Sequence, residues 1–92
     1  MSLEARETFA IINKLGLHAR AATKLVQAAS RFNAEIELQK DGHVANGKSV
    51  MGVLLLCGHQ GSQVTVIARG PDAPEAVRAI GQLIAERFGE PS

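Results

Sequence analysis

A segment in the middle of the chain alternates apolar with polar residues and is soon followed by a tight-turn dipeptide. Residues 34–39 read Ala-Glu-Ile-Glu-Leu-Gln, and Asp41-Gly42 follows after Lys40. Successive side chains of a strand point to opposite faces, so this pattern predicts a strand with one buried and one solvated face. Asp-Gly favours a two-residue hairpin turn, and residues 43–46 then form a short return strand. The chain therefore contains antiparallel sheet that needs a second layer on its buried face.

Two longer segments have the apolar spacing of amphipathic helices. The apolar positions of the first are Ala22, Leu25, Val26, Ala29 and Phe32, and those of the second are Ala76, Val77, Ile80, Leu83, Ile84 and Phe88. Before the second helix, Asp72 and Glu75 have the spacing of a capping box, with Pro74 in the first turn. Gly89 is expected to close that helix in a left-handed conformation.

Two more strands and a short apolar run complete the pattern. Strands are expected over residues 6–12 and 62–69. Residues 50–56 are interpreted as a short helix capped by Ser49, with a buried strand as the alternative, because periodicity does not separate the two over so short a run. The predicted order is β-α-β-β-α-β-α. This is an α+β open-faced two-layer sandwich, with a mainly antiparallel four-stranded sheet and three helices on one face.

Length and composition limit the classes of function. The 92 residues suffice for a single domain, residues 1–92, with one core. That core is aliphatic, because the chain has no Trp or Tyr and three Phe, and base-stacking platforms are therefore missing. A net charge of +1 gives no electrostatic basis for a nucleic-acid or membrane partner. The lone Cys57, the charged N-terminal segment and the lack of a long apolar run favour a cytoplasmic protein.

His18 is the candidate nucleophile because it lies between a Gly-containing turn and the start of the first helix. Helix N-termini hold anions through unpaired N–H groups and a partial positive charge. Arg20 adds a guanidinium whose planar fork suits phosphate, and a neutral His is a competent nucleophile near neutral pH. For an isolated His-x-Arg sequence, a loose cap and a solvated charge are the commoner interpretation.

Two blocks of sequence resemble one known family. Residues 14–26, KLGLHARAATKLV, resemble the phosphohistidine segment of the HPr family, the phosphocarriers of bacterial phosphoenolpyruvate-dependent phosphotransferase systems. Residues 46–53, NGKSVMGV, resemble the regulatory-serine segment of that family, and residues 61–64 and Gly70 fit its layout. The resemblance extends from about residue 6 to residue 89 with both blocks in register.

The resemblance implies a phosphoryl carrier that is a covalent intermediate rather than an independent enzyme. Enzyme I would phosphorylate His18 on Nδ1, Arg20 would neutralise the phosphoryl group, and an EIIA-type domain would receive it. Ser49 would be a target of HPr kinase/phosphorylase as well as a cap. The protein would be a monomer without a cofactor. Its partner-binding surface would comprise Ala19, Arg20, Thr23, Lys24, Val50, Met51 and Leu54, whereas Val53, Leu55 and Leu56 are expected in the core.

Several alternatives stay open at this level. Ala21 stands where most members of the family have Pro, and Ala21→Pro is expected to be tolerated and slightly stabilising. The approach Asn13-Lys14-Leu15-Gly16 also resembles nitrogen-type paralogues, so the alternative function is a regulatory protein-binding module controlled through Ser49. A metal site at His43, Cys57 and His59 is disfavoured, because their spacing matches no standard zinc pattern. Solvated histidines and a small buried thiol are expected instead.

Overall fold

The computed structural model describes residues 3–92 and consists of one antiparallel sheet with three α-helices. The strands are β1 (Glu4–Ala10), β2 (Glu35–Lys40), β3 (His43–Asn46) and β4 (Gln63–Arg69). The helices are α1 (Ala19–Ala29), α2 (Val50–Leu55) and α3 (Ala73–Ala85), and a 3-10 turn follows at Arg87–Gly89. The sheet order is β1-β4-β2-β3, with every neighbouring pair antiparallel. These observations confirm the predicted α+β open-faced sandwich and its order of elements.

The hairpin that the alternating segment predicted is present between β2 and β3. Asp41 and Gly42 have φ values of 50° and 81°, as a two-residue turn of this kind requires, and Lys40 pairs with His43. The apolar side chains of β2, Ile36 and Leu38, are buried on the helix-covered face. The hairpin thus fixes the register of the sheet edge farthest from β1.

The core lies between the sheet and the helices. Helix α3 packs against β1 and β4, α1 contacts both other helices, and α2 contacts β3. Phe88 is the only fully buried aromatic side chain in residues 3–92, and the rest of the core is aliphatic. None of the helices in this part of the chain combines the length and apolar character needed to cross a membrane.

The ends of some elements differ from those predicted. Strand β1 covers Glu4–Ala10 rather than residues 6–12, because its pairing with β4 begins at Glu4 and Arg69. Ile11 instead exchanges backbone hydrogen bonds with the loop before β4, at Gly61 and Ser62. Helix α1 ends at Ala29, so the half-buried Phe32 lies beyond it. The apolar pattern marked which of these residues are buried, but not where regular hydrogen bonding stops.

The predicted capping box at the start of α3 is wrong. Asp72 makes no side-chain cap, and its Oδ2 instead accepts a hydrogen bond from the Asn33 backbone N–H at 2.9 Å. A tertiary partner on the loop after α1 has therefore replaced the local one. The end of α3 also differs, because the helix stops at Ala85 and Gly89 closes a separate turn with φ of 79°. This turn directs Phe88 into the core.

Candidate active site

His18 is the N-cap of α1, as its position in the sequence predicted. Its backbone is extended, with φ −71° and ψ 177°, and its carbonyl accepts the first intrahelical bond from Ala22 N–H at 2.8 Å. The ring Nδ1 accepts a hydrogen bond from the Arg20 backbone N–H at 3.3 Å. The imidazole therefore faces the unpaired N–H groups and partial positive charge of the helix start.

The loop before His18 is held by a close contact with the segment after α2. Gly16 has φ of 65°, and Leu17 N–H donates to the carbonyl of Gly58 at 2.7 Å. Leu17 itself is buried in the core beside this contact. A side chain at position 16 would overlap the Gly58 carbonyl oxygen and lie 2.9 Å from His59 Cα. Glycine at this position therefore allows the loop to approach Gly58 and sets the direction in which His18 leaves it.

The second ring nitrogen of His18 contacts a residue that the sequence analysis did not identify. His18 Nε2 is hydrogen-bonded to Oε2 of Glu90, and the Glu90 side chain is only 11% exposed. The other carboxylate oxygen, Oε1, accepts from Nδ2 of the completely buried Asn13 at 2.9 Å. The hydrogen bond from His18, and then that from Asn13, hold the pKa of Glu90 below its usual value. No pattern in a single sequence pairs His18 with a residue so far along the chain.

The segment that carries Glu90 is fixed at several points. Phe88 is buried, and its carbonyl accepts a hydrogen bond from Lys24 Nζ at 2.6 Å. Farther along, the carbonyl of Ser92 accepts from Lys14 N–H at 3.1 Å. Arg87 and Phe88 both have left-handed φ, 57° and 55°, which residues other than glycine rarely adopt. Burial of Phe88 and the Lys24 contact keep this unusual turn in place, so Glu90 is held against His18.

These contacts define one protonation pattern for a neutral His18. Nδ1 accepts from Arg20 N–H and therefore carries no proton, whereas an ionised Glu90 accepts only and therefore requires the proton on Nε2. The lone pair of Nδ1 is thus directed at the helix N-terminus, where it accepts from Arg20 N–H. Arg20 is exposed, and within residues 3–92 its guanidinium forms no ion pair. An open cavity of about 740 Å³ adjoins the ring, with Lys14 and Arg20 on its wall. The arrangement places Nδ1 of His18 beside two sources of positive charge, the start of α1 and the cationic side chains of the cavity wall.

Ser49 caps α2, and residues 50–55 are helical rather than a strand. Its Oγ accepts a hydrogen bond from Gly52 N–H at 3.0 Å, as the predicted cap requires. Helices α1 and α2 are in contact, so the predicted partner residues on the two helices belong to neighbouring elements. Met51 is 66% exposed, whereas Val50 and Leu54 are half-buried against the core.

One residue that was expected in the core is exposed on α2 instead. Leu55 is 73% exposed, although Val53 and Leu56 are buried as expected. Two turns of helix present one face to the core, and Leu55 falls on the opposite side. On α1, Ala19, Arg20 and Thr23 are exposed, and the Thr23 hydroxyl donates to the Ala19 carbonyl at 2.8 Å. Lys24 is half-buried, and its Nζ donates to the Phe88 carbonyl, so its side chain ties α1 to the turn after α3.

The residues considered for a metal site are all on the surface. His43 begins β3, while Cys57 and His59 lie in the loop after α2. Cys57 is exposed with φ of 55°, so the expectation of a buried thiol is wrong. Residues 3–92 contain no group of three or more His, Cys, Asp or Glu side chains placed to hold a metal ion.

Fold and site together describe a small α+β protein with a histidine at a helix N-terminus. The family model described as the PTS HPr component phosphorylation site matches residues 5–86. Over 80 residues the chain is 50% identical to the phosphocarrier protein HPr of Cupriavidus necator, with 87% of this chain and 90% of the relative covered. It is 46% identical to the phosphocarrier protein NPr of Shewanella violacea, with 89% and 90% covered.

A solved structure gives the same result. HPr-C-His from Thermoanaerobacter tengcongensis superposes with a TM-score of 0.92 at 43% identity, with 96% of this chain and 99% of that chain covered. The chain belongs to the HPr family of phosphotransferase-system phosphocarriers.

Ala21→Pro is expected to change the free energy of unfolding by less than about 1 kcal/mol, the limit of the gain from restricting the unfolded chain. The Ala21 N–H lies in the first turn, ahead of the first intrahelical bond, so its loss breaks no helix hydrogen bond. Ala21 is completely buried, however, and Arg20 is already helical, so ring crowding opposes the gain. Urea unfolding of both proteins measures the difference. A loss above about 2 kcal/mol would show that the buried site cannot accept the ring.

Proposed function

We propose that this protein accepts a phosphoryl group from enzyme I on Nδ1 of His18 and passes it to a histidine of an EIIA-type domain. The observation that carries the proposal is the position of Nδ1 at the N-terminus of α1, where it accepts from Arg20 N–H beside the exposed Arg20 side chain. The family of the chain supports phosphoryl transfer as the chemistry. We place this role in the cytoplasm, with the protein acting as a monomer.

The transfer needs no base, because Nδ1 carries no proton; its lone pair turns from the Arg20 N–H to phosphorus. Nδ1 attacks phosphorus, a new N–P bond forms, and the bond between phosphorus and the donor nitrogen of enzyme I breaks. The oxygens of the phosphoryl group gain partners in the N–H groups of the first turn and the fork of Arg20. In the second transfer the N–P bond on His18 breaks and its electron pair returns to Nδ1. The same positive groups can therefore stabilise both in-line transfers.

Exposed apolar residues next to the site suit docking of more than one partner. Met51 and Leu55 project from α2, and Leu15, 66% exposed, lines the cavity at His18. Met is flexible and polarisable, so it adapts to surfaces of different shape. We assign the docking of enzyme I and EIIA-type domains to this face, together with Ala19, Arg20 and Thr23 of α1.

The test is reconstituted transfer with phosphoenolpyruvate, enzyme I and this protein, followed by addition of EIIA-type domains. We expect an acid-labile phosphoryl group that leaves the protein when an acceptor is added. Comparing a sugar-specific EIIA with a nitrogen-type EIIA distinguishes the two branches of the family. A phosphoryl group that forms but passes to neither acceptor would contradict the carrier role.

Ser49→Asp is expected to weaken binding of enzyme I at least about tenfold, the effect of an unfavourable charge of ~1.4 kcal/mol at an interface. Asp caps helices as well as Ser does, so α2 should stay folded. The new charge would lie next to Val50 and Met51, at the start of the proposed docking face. Ser49→Asn is the matched control, because Asn also caps but adds no charge.

Calorimetric titration with enzyme I measures this effect. We expect Ser49→Asn to bind like the parent protein and Ser49→Asp to bind more weakly. Such a result would favour regulation by a kinase such as HPr kinase/phosphorylase, since phosphoserine adds still more negative charge. Equal affinities for both variants would leave Ser49 as a cap alone.

A further inference from the structure

We propose that Glu90 is a positioning residue for phosphoryl transfer, which keeps a proton on Nε2 of His18 both before and after Nδ1 is phosphorylated. In this role Glu90 directs the phosphoryl group to Nδ1 and maintains the phosphohistidine in its transferable form. The inference rests on the proposed function of His18 as the carrier.

The carboxylate is pre-organised for this role. One oxygen contacts His18 Nε2 and the other accepts from Asn13 Nδ2, which also donates to the Gly16 carbonyl at 2.9 Å. Asn13 is completely buried, so the carboxylate is tied to the same loop that orients His18. On its other side, the left-handed turn at Arg87 and Phe88 is held by Lys24. A carboxylate held from both sides keeps the ring orientation fixed, as the partners of catalytic and metal-binding histidines do.

The role follows from the charge balance of the transfer. The neutral ring has its proton on Nε2 and its lone pair on Nδ1, and formation of the N–P bond gives the ring a positive charge while the proton stays. Glu90 then faces a cation and stabilises it. In onward transfer the N–P bond breaks, and a neutral imidazole leaves. If the Nε2 proton were lost first, an imidazolide anion would have to leave, which is much less favourable.

Other charges near the site reduce the stabilisation that Glu90 gives to the positively charged ring. Lys14 from the preceding loop and Arg20 from α1 line the cavity beside the ring, and Lys24 from α1 lies near the carboxylate. These cations favour an ionised Glu90 and disfavour the charged ring. His18 is also partly open to water, with 26% of its side chain exposed, and water screens the pair. We therefore expect Glu90 to shift the titration midpoint of the phosphohistidine by less than it would in a fully buried pair.

Glu90→Gln tests the proposal, with Glu86→Gln as the matched control. Both variants lose one negative charge from the C-terminal segment, but Glu86 is exposed and bonded to Gln82 rather than to His18. Each protein is phosphorylated with phosphoramidate, so the test does not depend on enzyme I. Phosphorus NMR then follows the titration of the phosphohistidine, with His18→Ala identifying its signal. In Glu90→Gln the midpoint should fall by about 0.5–1 pH unit, less than the 1–3 units of a close unscreened pair.

The lifetime of the phosphohistidine provides a second readout. Above the midpoint, the protonated fraction falls about tenfold for each pH unit by which the midpoint falls, so the phosphohistidine of Glu90→Gln should hydrolyse about 3- to 10-fold more slowly. Glu86→Gln should match the parent protein in both readouts. A midpoint and lifetime unchanged in Glu90→Gln would overturn the proposal.

Glu90→Ala gives an independent measurement on the unphosphorylated protein. Nitrogen NMR should show His18 with its proton on Nε2 in the parent and a mixture of tautomers in Glu90→Ala. Unchanged tautomer populations would also overturn the proposal. Failure of enzyme I to phosphorylate the parent protein would instead refute the proposed function, while the phosphoramidate and tautomer results would still decide the role of Glu90.

Discussion

His18→Ala is expected to abolish phosphoryl transfer from phosphoenolpyruvate and enzyme I while the protein remains folded. The variant removes the ring whose Nδ1 lies at the start of α1 and accepts from Arg20 N–H. It also removes a weak cap and the contact with Glu90, so stability should fall by about 1 kcal/mol, a typical loss for an N-cap. Circular dichroism and urea unfolding check the fold, and acid-labile phosphorylation checks the function.

His43→Ala and His59→Ala are the matched controls for this prediction. Both residues are exposed, and neither lies at the start of a helix. We expect both variants to be phosphorylated like the parent protein. A phosphoryl group formed by enzyme I on the folded His18→Ala protein would refute the assignment of His18 as the acceptor.

Among the variants proposed for this protein, Gly16→Ala is expected to lower the free energy of unfolding the most. It should also slow phosphorylation of His18. A Cβ at this position would overlap the Gly58 carbonyl oxygen and lie close to His59 Cα, and the backbone φ of 65° disfavours any side chain. Strain and overpacking together should lower the free energy of unfolding by about 2–4 kcal/mol. Because the same loop aims His18, phosphorylation should slow by about 10- to 100-fold, the cost of misplacing a reacting group by ~1 Å.

Gly42→Ala separates backbone strain from the clash. Gly42 also has positive φ, 81°, but nothing lies within 4 Å of an added Cβ, and the turn joins β2 to the edge strand β3. This variant should lose about 1 kcal/mol through strain alone and should be phosphorylated at the normal rate. Chemical unfolding and initial rates of phosphorylation measure both proteins. Equal losses in the two glycine variants would show that the contact with Gly58 is unimportant.

The acidic partner of His18 adds a pH dependence to this part of the fold. The hydrogen bonds from His18 and Asn13 lower the pKa of Glu90 in the folded protein relative to its ordinary value of 4.5. The stability that this ionised carboxylate contributes is therefore fully present above that ordinary value. It is lost as the pH falls through the lowered pKa. Docking of the C-terminal segment should accordingly weaken only in acid.

The amino-acid sequence alone determined the features that depend on near neighbours in the chain. Alternation in residues 34–39 and the Asp41-Gly42 turn specified a hairpin, because both signals act over a few residues. The position of His18 after a glycine turn, and the cap of α2 by Ser49, were likewise local. The resemblance of two short blocks then pointed to the family.

Tertiary structure decided the features that depend on distant segments. Asp72 accepts a hydrogen bond from Asn33 N–H instead of capping α3. After α3 ends, a left-handed turn buries Phe88. Glu90 reached His18 only because that turn, Lys24 and Asn13 hold the C-terminal segment in place. Local propensity sets which residues are able to form an element, but contacts between distant segments compete with it on equal terms in free energy. The candidate nucleophile, His18, was therefore readable from the sequence, whereas its contact with Glu90 required the folded chain.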